Sequence, residues 1–533
     1  MTKKKIWLAV LCVLLAIVLV VTGVLFVPKW IKKGEGTLPP MADPIDDNYR
    51  TFYQIFVGSF SDSNGDGIGD LRGIINRFDY LNDGNVNSGK SLGVQGIWLS
   101  PIFTSPSYHK YDAKDYYQVD WRFGTEEDLK ELVDLCHQRN VKLILDLAIN
   151  HTAKSHDWFV KFEQARKAGD TTSPYYDYYS CATTADKVNG IIYQKIAGID
   201  CWYECNFSGD MPELNFDNPK VRQATLDIAK YYLNLGVDGF RFDAIKYIYM
   251  GNTDKSVDFW KWYMDELKQV NPDVYCVGEC WSGETEVLDY YKAMNCFDFA
   301  MSQAEGFAAA AAKGGNIYKF TSRIASYQNK VTYKHNGAMP QFFLSNHDMD
   351  RIAGSFVTEN YARMAANLYL LAPGSPVIYY GEELGMRGSR GSENTDANRR
   401  LAMLWGDDDT VRNPVGSTYP ATNQIQTTVA QQVGDEDSMY EYYRRLIALR
   451  HKYEAIPRGK YTAIDCGEKR FGGFEIEYGG ETVYVFHNTD VTELTIDVSQ
   501  FGAKTLCDVI GVGDAKLKDK TLTISGQTSV ILK

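Results

Sequence analysis

In the segment GFRFDAIKY (Gly239–Tyr247), Arg241 and Asp243 stand two places apart in a largely apolar run. Alternate side chains of a strand share a face, so the pair would lie together beside buried neighbours. Buried charges are costly unless they are paired or used. Other polar groups also end apolar runs: Asp146, Asn150 and His151 in VKLILDLAINH, Glu279 in VYCVGECW, and His347 with Asp348 in QFFLSNHD. A lone Asp at a strand end is ordinarily a cap or turn residue, but several strand ends supplying this set is a different matter. Three carboxylates (Asp243, Glu279, Asp348) without a Ser–His pair, a reactive thiol or a phosphate loop suggest glycosidic chemistry. One carboxylate attacks, and a second, kept protonated, supports the leaving oxygen. Arg241 is expected to lower the pKa of Asp243 and hold it ionised as the nucleophile. Apolar Val277 and Trp281 are expected to raise that of Glu279, the acid/base.

The elements that must position these groups alternate. TFYQIFVGSF, VQGIWLSPI, VKLILDLAINH, VDGFRFDAI, VYCVGECW, QFFLSNHD and SPVIYYGEEL read as strands. Between them lie amphipathic helices such as TEEDLKELVDLCHQRN and VRQATLDIAKYYLNLG. Continuous apolar strands alternating with helices imply a parallel sheet covered by helices. A number of units close to eight favours an α/β fold of the closed (β/α)8 barrel type, with the working residues on one rim. The stretch between INH and NPKVRQ is too long for an ordinary connection and reads as an inserted domain. From Pro457 alternating strands (GGFEIEYGG, TVYVFHNT, TLTISGQTSVILK) suggest a C-terminal antiparallel β-sandwich. The expected layout is an N-terminal membrane anchor at 1–33, a linker at 34–48, barrel at 49–150, inserted domain at 151–217, barrel at 218–456 and sandwich at 457–533.

The net charge of −12 argues against a nucleic-acid partner. Ile6 to Val27 is an uncharged run of 22 residues, long enough for one transmembrane helix. With lysines on both sides and no clear cleavage site, it is expected to be an uncleaved single-pass anchor with the catalytic domain outside the cytoplasm. Nine of the ten cysteines lie beyond this run, and one disulfide among Cys181, Cys201 and Cys205 is expected. No obligate protein partner is expected.

These motifs resemble the α-amylase family of retaining glycoside hydrolases. DLAINH (Asp146–His151), GFRFDAIKY, GECW and FLSNHD match its four main motifs in order; GIWLSPI, MPELN and SPVIYYGEELGM resemble secondary ones. The resemblance implies Asp243 as nucleophile, Glu279 as acid/base and Asp348 as the third acid on the sugar at the cleavage point. It also implies Tyr111 stacking on that sugar, His151 and His347 hydrogen-bonding it, Arg241 supporting Asp243, and Lys246 among the substrate-binding residues. Lys110 stands where the family usually has Gly, and Tyr247 where many members have His. Ala244 after the nucleophile resembles members acting on α-1,4 bonds, and MPELN is nearer the MPDLN of the group intermediate between α-amylases and oligo-1,6-glucosidases than to QPDLN. The expected activity is therefore endo-acting hydrolysis of starch and maltooligosaccharides. The alternatives are an exo-acting α-glucosidase or oligo-1,6-glucosidase and, more remotely, a non-enzymatic amylase-like membrane protein.

DSNGDGIGD (Asp62–Asp70) places oxygen acceptors at alternate positions: Asp62, Asn64, Asp66, the Ile68 carbonyl and Asp70. Hard oxygen donors at this density suit Ca²⁺, and similar loops follow the first barrel strand in the family. Calcium is the expected cofactor.

Overall fold

The computed structural model describes residues 48–85 and 88–533. The expected membrane anchor falls outside these residues. Among the described residues no helix is long and apolar enough to cross a membrane.

Seven parallel strands form most of the barrel wall. Their order is Asn295–Cys296, Tyr275–Gly278, Gly239–Phe242, Lys142–Leu147, Gly96–Leu99, Phe52–Ile55 and Val377–Tyr379. Residues 341–343 join the two edges. Gln341 bridges to Phe297 and Phe343 to Val377, both in parallel sense. Asp298 N donates to the Gln341 carbonyl (3.0 Å) and Val377 N to that of Phe342 (2.8 Å). The wall is thereby a closed ring of eight positions, and the FLSNHD motif leaves its seventh.

The strands are apolar on both faces because both faces are buried. Phe52, Trp98, Ile144, Tyr275, Val277, Phe297 and Phe343 fill the barrel interior. Phe240 and Phe242 point outward, and Phe242 packs on Trp260 and Tyr263 of helix Thr253–Lys268. Arg241, between them, is left facing inward. At Gly239 a Cβ would lie 1.8 Å from the Tyr275 carbonyl oxygen, so only glycine lets these two strands approach so closely.

The inserted domain contains an element that the sequence reading lacked. Asp157–Ala168 is a helix, with Phe159, Phe162 and Ala165 buried on one face. His156 caps it by accepting from Trp158 N, and Gly169 ends it in the left-handed conformation. A histidine cap is outside the usual Ser, Thr, Asp and Asn signal, so the start of the helix was not legible. Three short antiparallel strands complete the domain, in the order Cys181–Ala182, Trp202–Glu204, Tyr193–Lys195. Bridges His151↔Glu213 and Tyr179↔Leu214 close it on itself, and Leu214 N and Ala153 N tie it to the barrel through the carbonyls of Asn150 (3.0 Å) and Ala113 (2.8 Å). The disulfide expected here is not formed: Cys181, Cys201 and Cys205 are free thiols, as are the other described cysteines.

After the last barrel helix, Met439–Lys452, the chain forms two antiparallel sheets of five and three strands. Phe471, Phe486, Leu522, Ile524, Val530 and Leu532 pack in a core of their own. Alternate residues of the larger sheet, Phe474, Ile476, Val483, Val485 and Ile531, join the main core instead. The period of two in the sequence thus serves two partners, one per face.

Candidate active site

Asp146 and Arg241 lie on adjacent strands in register. The Arg241 guanidinium, fully buried, is the hub of the rim. Its Nη1 donates to Asp146 Oδ1 (2.7 Å) and to Asp243 Oδ1 (2.8 Å). Its Nη2 lies 3.0 Å from Glu279 Oε2, within ion-pair reach though not aligned for a hydrogen bond. It also sits over the Trp98 ring, 5.2 Å from the centroid. One cation therefore serves three carboxylates from three neighbouring strand ends.

Beyond Asp243 the chain turns left-handed at Ala244 (φ 48°, ψ 43°), a conformation that costs a non-glycine residue roughly 1 kcal/mol or more. The turn aims the Ala244 N–H at Glu279 Oε2 (3.1 Å) and the Ile245 N–H at the Glu279 carbonyl (3.0 Å). The strain thereby fixes Glu279 relative to Asp243.

His347 and Tyr111 complete the floor. Their rings stack at 5.2 Å and 7°. Gln54 Nε2 lies 2.7 Å from His347 Nδ1, and His347 Nε2 faces Tyr111 Oη (2.6 Å) and Asp348 Oδ2 (3.1 Å). The Tyr111 hydroxyl in turn donates to Asp146 Oδ2 (2.7 Å), which also accepts from Trp98 Nε1 (3.1 Å). His151 is equally buried, but its Nε2 meets the Tyr111 carbonyl (3.1 Å) and its ring packs on Phe207. Its Nδ1 has no partner. Lys246 lies at the exposed edge, with Nζ on the Trp281 carbonyl (2.8 Å).

The electrostatics differ from the sequence expectation at Asp243. Burial is the largest influence and outweighs the shared Arg241, so its pKa is raised to about 6 rather than lowered. Glu279 is raised to about 7, as expected in direction. The cause is burial first, with Asp243 and Asp348 adding to it against Arg241. Trp281, expected to contribute to that burial, is 45% exposed and stacks on Phe299 (4.8 Å). Asp348 is held well below the usual carboxylate range: burial opposes this, but His347, Arg400 and Arg241 together prevail.

Two contributions go beyond the sequence reading. Asp146 stands there among the strand-end groups of the rim without assigned partners, and it anchors both Arg241 and Tyr111. Arg400 carries no signal at all, since it lies in an aperiodic loop 52 positions beyond Asp348. It donates to Asp348 Oδ1 (2.8 Å), to the His347 carbonyl (2.9 Å) and to Tyr108 Oη (2.9 Å). Lys110 keeps the left-handed backbone (φ 64°) that a glycine would adopt freely. Its buried Nζ pairs with Asp120 (2.8 Å) and lies over the Phe123 ring.

The loop Asp62–Asp70 lies apart from this cluster. Asp62 accepts from the backbone of Asn64, Gly65 and Gly67 and from Thr410 Oγ1. Asp66 accepts from Ile68 N, and Asp70 from Gly73 N and Ser63. The oxygen chemistry suits a hard cation, but the acids are turned to backbone donors. Among the described residues no three His, Cys, Asp or Glu side chains are gathered to hold a metal.

Residues 54–459 match the family model described as alpha amylase, catalytic domain. The chain is 35% identical to alpha-amylase 3 of Dictyoglomus thermophilum, over 90% of this chain and 92% of that one. It is 29% identical to an oligo-1,6-glucosidase of Bacillus cereus, covering 88% and 96%. Among solved structures, Amy13B of Eubacterium rectale superposes with a TM-score of 0.86 at 33% identity, covering 92% of this chain and 97% of that one. With the closed barrel, the carboxylates around Arg241 and a family match that spans most of its length, the chain belongs to the α-amylase family of glycoside hydrolases and transglycosylases.

Proposed function

We propose that the protein is an endo-acting α-amylase that hydrolyses α-1,4 bonds of starch and maltooligosaccharides with retention of configuration. Asp243 is the nucleophile and Glu279 the acid/base. Asp348, Tyr111, His151 and His347 hold the sugar at the cleavage point, Arg241 orients Asp243, and Lys246 is a further substrate-binding residue. The observation that carries this reading is the shared Arg241, which draws Asp243 and Glu279, from neighbouring strand ends, to one guanidinium. Ala244 and the 35% identical relative named an α-amylase favour α-1,4 hydrolysis. A product time course on soluble starch tests the choice. Early release of a range of maltooligosaccharides as the α-anomer is expected. Glucose as the sole first product would support the exo-acting alternative, and a β-anomer would contradict the two-step mechanism.

The pH dependence follows from the pair. Activity needs Asp243 ionised and Glu279 protonated. With Asp243 at about 6 and Glu279 at about 7, kcat/KM rises as pH climbs through the first value and falls as it passes the second. The two titrate as a pair, so the limbs report macroscopic values. A profile on a neutral maltooligosaccharide with no descending limb would argue against Glu279 as the acid.

Calcium at Asp62, Asn64, Asp66, the Ile68 carbonyl and Asp70 is proposed as a stabilising ion, on the oxygen-only donor chemistry of the loop. A ligand bound by the folded chain alone stabilises it by about 2.7 kcal/mol at a hundredfold excess over Kd. Chelation is expected to lower the melting temperature and added Ca²⁺ to restore it, with Asp66→Ala losing the response. A parent protein indifferent to chelator would leave the loop as a turn closed by its own backbone bonds. The 22-residue run Ile6–Val27 supports single-pass anchoring in the cell membrane with the barrel outside the cytoplasm; recovery in the membrane fraction, and its loss on deleting that run, checks it.

A further inference from the structure

A groove of about 590 Å³ lies on the outer wall of the barrel, away from the strand ends that carry the acids. Helix Ile317–Lys334 forms one side, helix Glu284–Tyr290 and Ala463 of the C-terminal sheet the other. Tyr318, Ser322, Ser326, Asn329 and Tyr333 line it. Their three- and four-residue spacing puts them on one helix face, with the tyrosines about 22 Å apart along the axis at the α-helical rise. Tyr333 is 89% exposed and Tyr318 38%. Tyr333 and Asn329 also border a second groove of about 560 Å³, so the tyrosine stands as a ridge between two depressions.

The chemistry of the lining is neutral. Lys330 and Lys334, the two cations of the first groove, are paired with Glu284 (2.6 Å) and Asp289 (2.7 Å). What remains is aromatic faces, hydroxyls and an amide. An extended, uncharged ligand with apolar faces and hydroxyl edges fits this set, and tyrosine serves both features. We propose that the groove is a second binding site for a neutral α-glucan chain, separate from the cleft, that retains the polymer on the enzyme. The identity of the ligand rests on the α-glucan reading given above.

The test uses the full-length chain carrying Asp243→Asn, so that the polymer persists, in affinity electrophoresis through gels containing soluble starch. Tyr318→Ala combined with Tyr333→Ala is expected to weaken retardation, with the apparent Kd rising about three- to tenfold. Tyr333→Trp, which keeps an aromatic face, is expected to preserve it. With Asp243 intact, the double variant should keep its kcat/KM on maltotriose and lose rate on granular starch. Alanine suits an exposed helix position, so an unchanged melting temperature is expected. Equal retardation of parent and double variant would overturn the site, and so would a parallel loss of maltotriose cleavage and melting temperature. A parent that is retarded through these tyrosines yet cleaves no α-glucan would overturn the activity reading and leave the groove standing.

Discussion

Asp243→Asn is expected to lower kcat on starch by roughly 10³-fold or more, the scale of losing an activated nucleophile. The amide is nearly the size of the carboxylate, and Arg241 keeps Asp146 as a partner at 2.7 Å. The fold should therefore survive, and an unchanged melting curve would show it. A second readout separates loss of the nucleophile from general damage. The charge on Asp243 helps to raise the pKa of Glu279. Its removal should move the Glu279 titration toward the ordinary carboxylate value, observable by NMR of the side chain. Near-normal starch cleavage by a folded Asp243→Asn protein would sink the assignment.

Glu279→Gln should be almost as damaging on starch, and much less so on aryl maltosides with a good leaving group. Such a leaving group needs little protonation, so the first step tolerates loss of the acid. The descending limb of the pH profile should disappear with it, because that limb is the deprotonation of Glu279. The carbonyl oxygen of the new side-chain amide can still accept from the Ala244 N–H, as Glu279 Oε2 does now (3.1 Å). The left-handed turn at Ala244 should therefore hold. Equal losses on starch and on activated aryl maltosides, with chemistry shown to be rate-limiting by burst kinetics, would remove Glu279 from the acid role.

Arg241 explains why these two changes differ from ordinary core substitutions. It is buried with three acids around it, and breaking a buried pair from the cation side leaves uncompensated charge worth several kcal/mol. Either carboxylate can be neutralised while the cation retains partners. The reverse is not true, so Arg241 combines a positioning role with a structural one.

The sequence by itself determined the barrel, the order of its motifs and the strand ends on which Asp146, Asp243, Glu279 and Asp348 fall. These follow from local rules: a run of apolar residues buried on two faces, a helix with one apolar stripe, and a polar group where the run ends. It also determined that Arg241 and Asp243 would meet, because two positions along an extended chain share a side. Only the tertiary structure decided who else joins them. Asp146 reaches Arg241 across 95 positions, because two strands pair in register. Arg400 reaches Asp348 because a loop with no periodicity folds over the rim. The direction of the Asp243 pKa shift was likewise out of reach. A neighbouring arginine is visible in the sequence and argues for a lowered value. The extent to which water is excluded, and the number of acids that share the arginine, are properties of the closed barrel, and they reverse it.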